Sequence, residues 1–185
     1  MNLKEIGEET SYLLVGEPVN LMTVTKFTNR CMDVLANRYD TACIRKEIAI
    51  NITDTNTDYD LPDDLIGIYK VIDVNNNKFK DFVVSDKAIN ISSKGNFTVK
   101  YYAIPVLTTR EGYDFNIKTD IPPIDNVYHK CIPYYIAMEL LKINDAKSPQ
   151  ISIYIQDFVQ ECKEADTRMK RLKRRNSRIK APVWR

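Results

Sequence analysis

The stretch Tyr59-Asp60-Leu61-Pro62-Asp63-Asp64-Leu65-Ile66-Gly67-Ile68-Tyr69-Lys70-Val71 is where this chain changes character. Before it the pattern is mostly helical; after it come short strands. Pro62 fixes its own φ and pushes Leu61 into an extended conformation. It also suits the first position of a short helical turn. Asp63 and Asp64 then fall where a helix dipole favours negative charge, and Gly67 can end the turn. A strand follows over residues 68–74. The five residues Leu61, Pro62, Asp63, Asp64 and Gly67 therefore read as a structural hinge that launches a β module from a helical base.

Upstream of the hinge, Ile48, Ile50 and Ile52 alternate with Ala49 and Asn51, which predicts a strand over 47–52. Asp54, Asn56, Asp58 and Asp60 imitate the start of a calcium loop. The sixth position is Tyr59 rather than Gly and the twelfth is Leu65 rather than Glu, so an ordinary polar loop is expected and no metal. Earlier still, a helix is expected over 3–14, broken by Gly16 and Pro18. A second starts near Thr23, with Val24, Phe27, Cys31, Val34 and Leu35 at helical spacing, and can extend to Lys46.

Downstream, strands over 68–74 and 78–84 are joined by Asn75-Asn76-Asn77, where Asn tolerates a left-handed turn. Further strands fall at 88–93 and 97–104. In the last, Phe97, Val99, Tyr101 and Ala103 alternate with Thr98, Lys100 and Tyr102 until Pro105 ends it. Short strands with tight turns predict a small antiparallel sheet or barrel over 47–105. Residues 106–124 read as a linker. Asp125 can cap a third helix running to Asn144, apolar nearly all round and so deeply buried, with Pro133 able to kink it. Ser148-Pro149 opens a fourth helix to Leu172, carrying a stripe of Ile151, Ile155, Phe158, Val159, Cys162, Ala165, Met169 and Leu172. The fold class is α+β: a bundle of about four helices (1–46 and 125–172), an inserted β module, and an extended C-terminal arm over 173–185. Fully extended, that arm reaches roughly 43 Å.

The composition is that of an ordinary globular chain, 44% hydrophobic and 28% charged. No apolar run approaches a membrane span, so no membrane partner is expected. The first nine residues lack an uninterrupted apolar core, so synthesis in the cytosol is expected. The four cysteines (Cys31, Cys43, Cys131, Cys162) show no C-x-x-C spacing and fall on apolar positions of the expected helices, which predicts buried thiols.

The search for catalytic chemistry ends without a motif. His129 is the one histidine and has no nucleophile or carboxylate pattern beside it, so a surface or packing role is expected. Phosphate-cradling glycine motifs and nucleophile elbows are missing from the sequence. Asp63 and Asp64 could act as an acid–base pair, but adjacent carboxylates at a helix start are more often dipole partners. We therefore expect no enzyme and no cofactor.

Charge is the second organising feature. Residues 168–185 carry nine cations and no carboxylate: Arg168, Lys170, Arg171, Lys173, Arg174, Arg175, Arg178, Lys180 and Arg185. The rest of the chain holds 18 basic against 25 acidic side chains, a net of −7. The sole tryptophan, Trp184, is the penultimate residue, and Trp is typical of interface anchors. Three readings follow: a solvated terminus, phosphate contact with nucleic acid, or docking into an acidic groove on a protein partner.

The order of these features resembles the head-to-tail connector (adaptor) proteins of tailed bacteriophages, especially the podovirus tail-tube adaptor type. The matching elements are a first helix ending Leu14-Val15-Gly16 and a second helix. Next comes a Y-x-L-P-x-D element (Tyr59, Leu61, Pro62, Asp64) opening a β insertion, then a strand ending Tyr101-Tyr102-x-x-Pro105. A helix with Tyr134-Tyr135-Ile136-Ala137 follows a proline pair, and a last helix and tail complete the chain. The resemblance implies a structural virion protein in the neck or tail, assembled in the host cytoplasm. It implies a twelve-fold ring that joins the portal protein after DNA packaging and offers a surface to the tail tube or nozzle protein. The basic arm with Trp184 would dock on the portal, with contact to packaged DNA possible. The alternative is a nucleic-acid-binding protein that uses the basic C-terminal arm.

Overall fold

A computed structural model describes residues 1–85, 87–105, 107 and 121–178, with side chains in the last helix described through Arg174. The chain divides into two compact units. One is Cys43–Ile104; the other is Met1–Ala42 with the described residues from Pro105 onward. The class is α+β, as the patterning predicts.

In the helical unit, α1 (Leu3–Leu13) begins with a reciprocal cap. The Asn2 side chain accepts from the Glu5 N–H, and the Glu5 carboxylate accepts from the Asn2 N–H, both at 2.9 Å. It ends in a Schellman motif: Gly16 N–H donates to Ser11 and Val15 N–H to Tyr12. Val15 takes the left-handed position, at φ 59°, with its side chain 85% exposed. A β-branched residue is strained there, and water gains it nothing. Val15→Gly is expected to raise stability by about 1 kcal/mol, read from the urea midpoint.

Helix α2 (Leu21–Arg38) is capped by Asn20, whose side chain accepts from Thr23 N–H. It stops at Arg38 rather than Lys46, because residues 44–46 are taken into a strand. Asp125 caps a single 3-10 turn, Asn126–Tyr128, and α3 (Cys131–Asn144) starts only afterwards. Pro133 thus lies in the first turn of α3, where its missing N–H has no intrahelical partner to lose, so no kink is required. Helix α3 packs against α1, α2 and α4 (Gln150–Arg178). Its Cys131, Ile132, Ile136 and Ala137 are fully enclosed, and Tyr135 lies 5.4 Å from the Phe158 ring. The hydroxyl of Tyr154 donates to the Leu13 carbonyl, tying α4 to the end of α1.

The inserted unit holds two antiparallel sheets and no closed barrel among the described residues. The larger has the order β1-β7-β3-β4, from β1 (Ile44–Ile52), β3 (Leu65–Asp73), β4 (Lys78–Phe79) and β7 (Gly95–Ala103). The smaller is β2-β6-β5, from β2 (Tyr59–Asp60), β5 (Phe82–Ser85) and β6 (Ala88–Ile91). The single strand expected over 78–84 is therefore two strands in different sheets. The Asn75-Asn76-Asn77 turn forms as expected, with Asn76 at φ 61° and the Asp73 carboxylate accepting from two of its N–H groups. Alternation in β7 buries Phe97, Val99, Tyr101 and Ala103. Of these, Phe97 and Val99 join Ile50, Ile52, Leu61, Val71, Ile89 and Ile91 in a core that both sheets share.

The hinge reading needs correction. The unit boundary falls at Ala42/Cys43 and Ile104/Pro105, so residues 59–71 lie inside the β unit. Tyr59 and Asp60 pair with β6, and Leu61 is a core residue, 6% exposed. After Pro62 the chain makes one tight turn closed by Leu65 N–H to the Pro62 carbonyl, and no helix forms. Gly67 lies within β3 at a register shift instead of ending a turn. Asp63 and Asp64 have no helix dipole to serve. They pair with Lys87 and Lys46, each at 2.5 Å. The Lys87–Asp63 pair is largely exposed, so Asp63→Asn is expected to leave the thermal midpoint unchanged.

Candidate partner-binding arm

Helix α4 is long because its stripe of core residues is regular. Ile151, Tyr154, Phe158, Cys162, Ala165 and Met169 recur every three or four positions and pack on the helical core. At 29 residues it is about 43 Å long. The last of these packed residues is Met169; from Lys170 to Arg174 every side chain is exposed. The arm expected to run extended from residue 173 is helical through Arg178. Six residues there advance about 9 Å, where an extended chain would span about 20 Å. Lys180, Trp184 and Arg185 lie outside the described residues.

Charge is segregated along α4. Residues 150–166 hold four carboxylates and one lysine; residues 167–178 hold seven cations and no carboxylate. Two of the seven are satisfied one turn back, where Arg168 pairs with Glu164 at 3.3 Å and Lys170 with Asp166 at 2.6 Å. Arg171 and Lys173 have no ion-pair partner among the described residues. Like charges meet at i and i+4 in Lys170 and Arg174, at a cost of a few tenths of a kcal/mol. The negative end of the helix dipole offsets part of this. An anion laid along the segment would offset more.

The point where α4 leaves the core is held by a polar chain absent from the sequence reading. The Thr41 hydroxyl donates to Asp166 Oδ1 at 2.8 Å, so the Tyr128 hydroxyl must be the donor in its own short bond to Thr41. Asp166 Oδ2 takes the Lys170 ammonium. Tyr128 is fully buried and Asp166 nearly so. Burial pushes the Tyr128 phenol well above its ordinary pKa. The arm's root is thus fixed to the turn after α2 and to the 3-10 turn. No sequence signal brings together residues 41, 128 and 166.

His129 is enclosed, 1% exposed. Its Nε2 lies 3.1 Å from the Ile124 carbonyl and 3.2 Å from that of Pro122, so Nε2 carries the proton. Nδ1 accepts from the Met1 amine at 2.9 Å. Burial, and then the charge of that amine, hold its pKa below the usual histidine value.

Cys31, Cys131 and Cys162 are buried thiols in the helical core, as expected. Cys43 differs: it is half-buried and sits where the β unit begins. Burial raises the Cys31 thiol pKa, and contact with Cys162 together with burial raises that of Cys131. In the loop after β1, the Asp54 carboxylate accepts from the Asn56 N–H and the Thr57 hydroxyl. Among the described residues no three His, Cys, Asp or Glu side chains are grouped to hold a metal, and no helix is long and apolar enough to cross a membrane.

No known family matches this chain. No curated protein matches it either.

Proposed function

We propose that the chain is a structural adaptor of a tailed-phage neck or tail, joining the portal to the tail tube or nozzle as one subunit of a twelve-fold ring. The observation that carries this reading is the end of α4. A helix that continues past its last core residue with six cations and no acid is built to meet something outside its own subunit. The β unit inserted between α2 and α3 supports it, since it offers a second surface remote in sequence from the arm. In this reading residues 168–185, with Trp184 as anchor, dock on an acidic portal groove. The role is assembly, with no catalytic step and no cofactor.

The isolated chain is expected to be monomeric, because every ring copy would bring its own cationic arm and the arms repel until an anionic partner neutralises them. Light scattering at micromolar concentration should report the monomer mass alone and a ring only with portal added. A closed ring without portal would overturn the template-dependent part of this proposal. Recruitment that follows DNA instead of portal would favour nucleic-acid binding through the arm.

A further inference from the structure

We propose that the outer face of the four-stranded sheet binds single-stranded nucleic acid, its bases stacking on Tyr69, Tyr102 and the Arg45 guanidinium. Strand register assembles this face. Arg45 of β1 lies opposite Tyr102 of β7, and Glu47 lies opposite Lys100. In β3 the register shifts between Ile68 and Lys70, leaving Tyr69 without a counterpart on β7. The ring centroids of Tyr69 and Tyr102 are 4.9 Å apart, which puts Tyr69 on the outer face. Lys70 lies opposite Lys100 on that same face. A bulge that re-aims a side chain in this way recurs beside functional sites.

The Arg45 guanidinium lies 5.4 Å from the Tyr69 ring and 5.9 Å from Tyr102. Arg45 is exposed and both tyrosines are half-buried, so the stack presents a flat cationic surface to solvent. Charge marks the same face. The inserted unit carries nine carboxylates against eight cations over residues 43–104, yet β1, β3 and β7 contain only Glu47 and Asp73. Asp73 lies opposite buried Phe97, on the inner face. Glu47 holds Lys100 at 3.1 Å, leaving the face with Arg45, Lys70 and Lys100 against one acid. A positive, aromatic face on an otherwise acidic unit complements a polyanion with accessible π-faces. A duplex hides the faces of its bases, and the carboxylates of an acidic peptide meet the cations but bring no aromatic face to the stack, whereas a single strand satisfies both.

The test is fluorescence anisotropy of a labelled oligo-dT, an oligo-U and an abasic strand of equal length, with the full chain. A parallel set carries Arg171→Gln, Lys173→Gln and Arg174→Gln to weaken phosphate binding by α4. In both sets oligo-dT should bind more tightly than the abasic strand, and Tyr102→Leu should weaken oligo-dT about tenfold while leaving the abasic strand unaffected. The oligo-U arm reports the preferred sugar. Arg45→Gln, on the exposed surface, repeats the measurement if Tyr102→Leu proves unstable by circular dichroism. Equal binding of dT and abasic strands, or dT binding indifferent to Arg45→Gln, would overturn the proposal. Neither result bears on portal docking through α4, which uses different residues.

Discussion

Truncation after Leu172 is expected to leave the helical unit folded and to abolish capture on the portal. The fold survives because α4's core residues, Phe158, Cys162, Ala165 and Met169, all precede the cut, as do Asp166 and its bond to Thr41. Capture fails because the cut removes six of the nine cations of residues 168–185, together with Trp184. Of the three that remain, Arg168 and Lys170 are already paired with Glu164 and Asp166, and Arg171 alone has no ion-pair partner among the described residues. Trp184→Ala alone should weaken capture by about 2 kcal/mol or more, as for a central aromatic anchor. Binding should fall with added salt, less steeply than for a duplex-DNA binder with the same charges. A pull-down at two salt concentrations reads all three effects. Undiminished capture of the truncated chain would defeat the arm proposal.

The second large effect concerns His129. His129→Phe keeps most of the ring volume and removes both nitrogens. The Ile124 carbonyl then loses its bond to the ring, while the Pro122 carbonyl keeps only the Ile124 N–H and the Met1 amine only the Glu5 carboxylate at 3.9 Å, at a cost of about 1–3 kcal/mol. The wild-type chain should also weaken in acid, with a definite sign. Folding depresses the pKa of His129, so the folded state favours the neutral ring. Above the unfolded value of about 6.5 this stability is fully present. As pH falls below it, the unfolded chain takes up a proton that the folded chain refuses, and stability is lost down to the folded pKa. The neighbouring charges do not reverse this: the Met1 amine opposes protonation, and the Asp125 carboxylate favours it more weakly. Urea midpoints at about pH 7.5 and about pH 5 should therefore differ more for the wild type than for His129→Phe. An identical acid response in both proteins would rule out His129 as the source.

Periodicity alone determined the helices and the main strands. The 3.6-residue stripe of α4 and the two-residue alternation of β7 are properties of neighbouring positions, and both appear, although Ile155 and Leu172 of the expected stripe are exposed. So do the left-handed Asn76 and the charge of residues 168–185. Boundaries were another matter. Residues 44–46 suit a helix locally, yet Ile44, Arg45 and Lys46 gain partners in Ala103, Tyr102 and Tyr101, which a local reading cannot see. The Pro62 stretch has the residues of a helix start. Burial of Leu61 in the core and pairing of Tyr59 and Asp60 with β6 commit it to the sheet instead. The arm reads as coil because its cations lack an apolar period, but α4 is already nucleated by its packed half, and adding residues to an existing helix costs far less than starting one. The Tyr128–Thr41–Asp166 chain and the Arg45–Tyr69–Tyr102 stack join residues far apart in sequence. Only the packing of whole elements brings such groups within hydrogen-bonding or stacking distance, so these were decided by the tertiary structure.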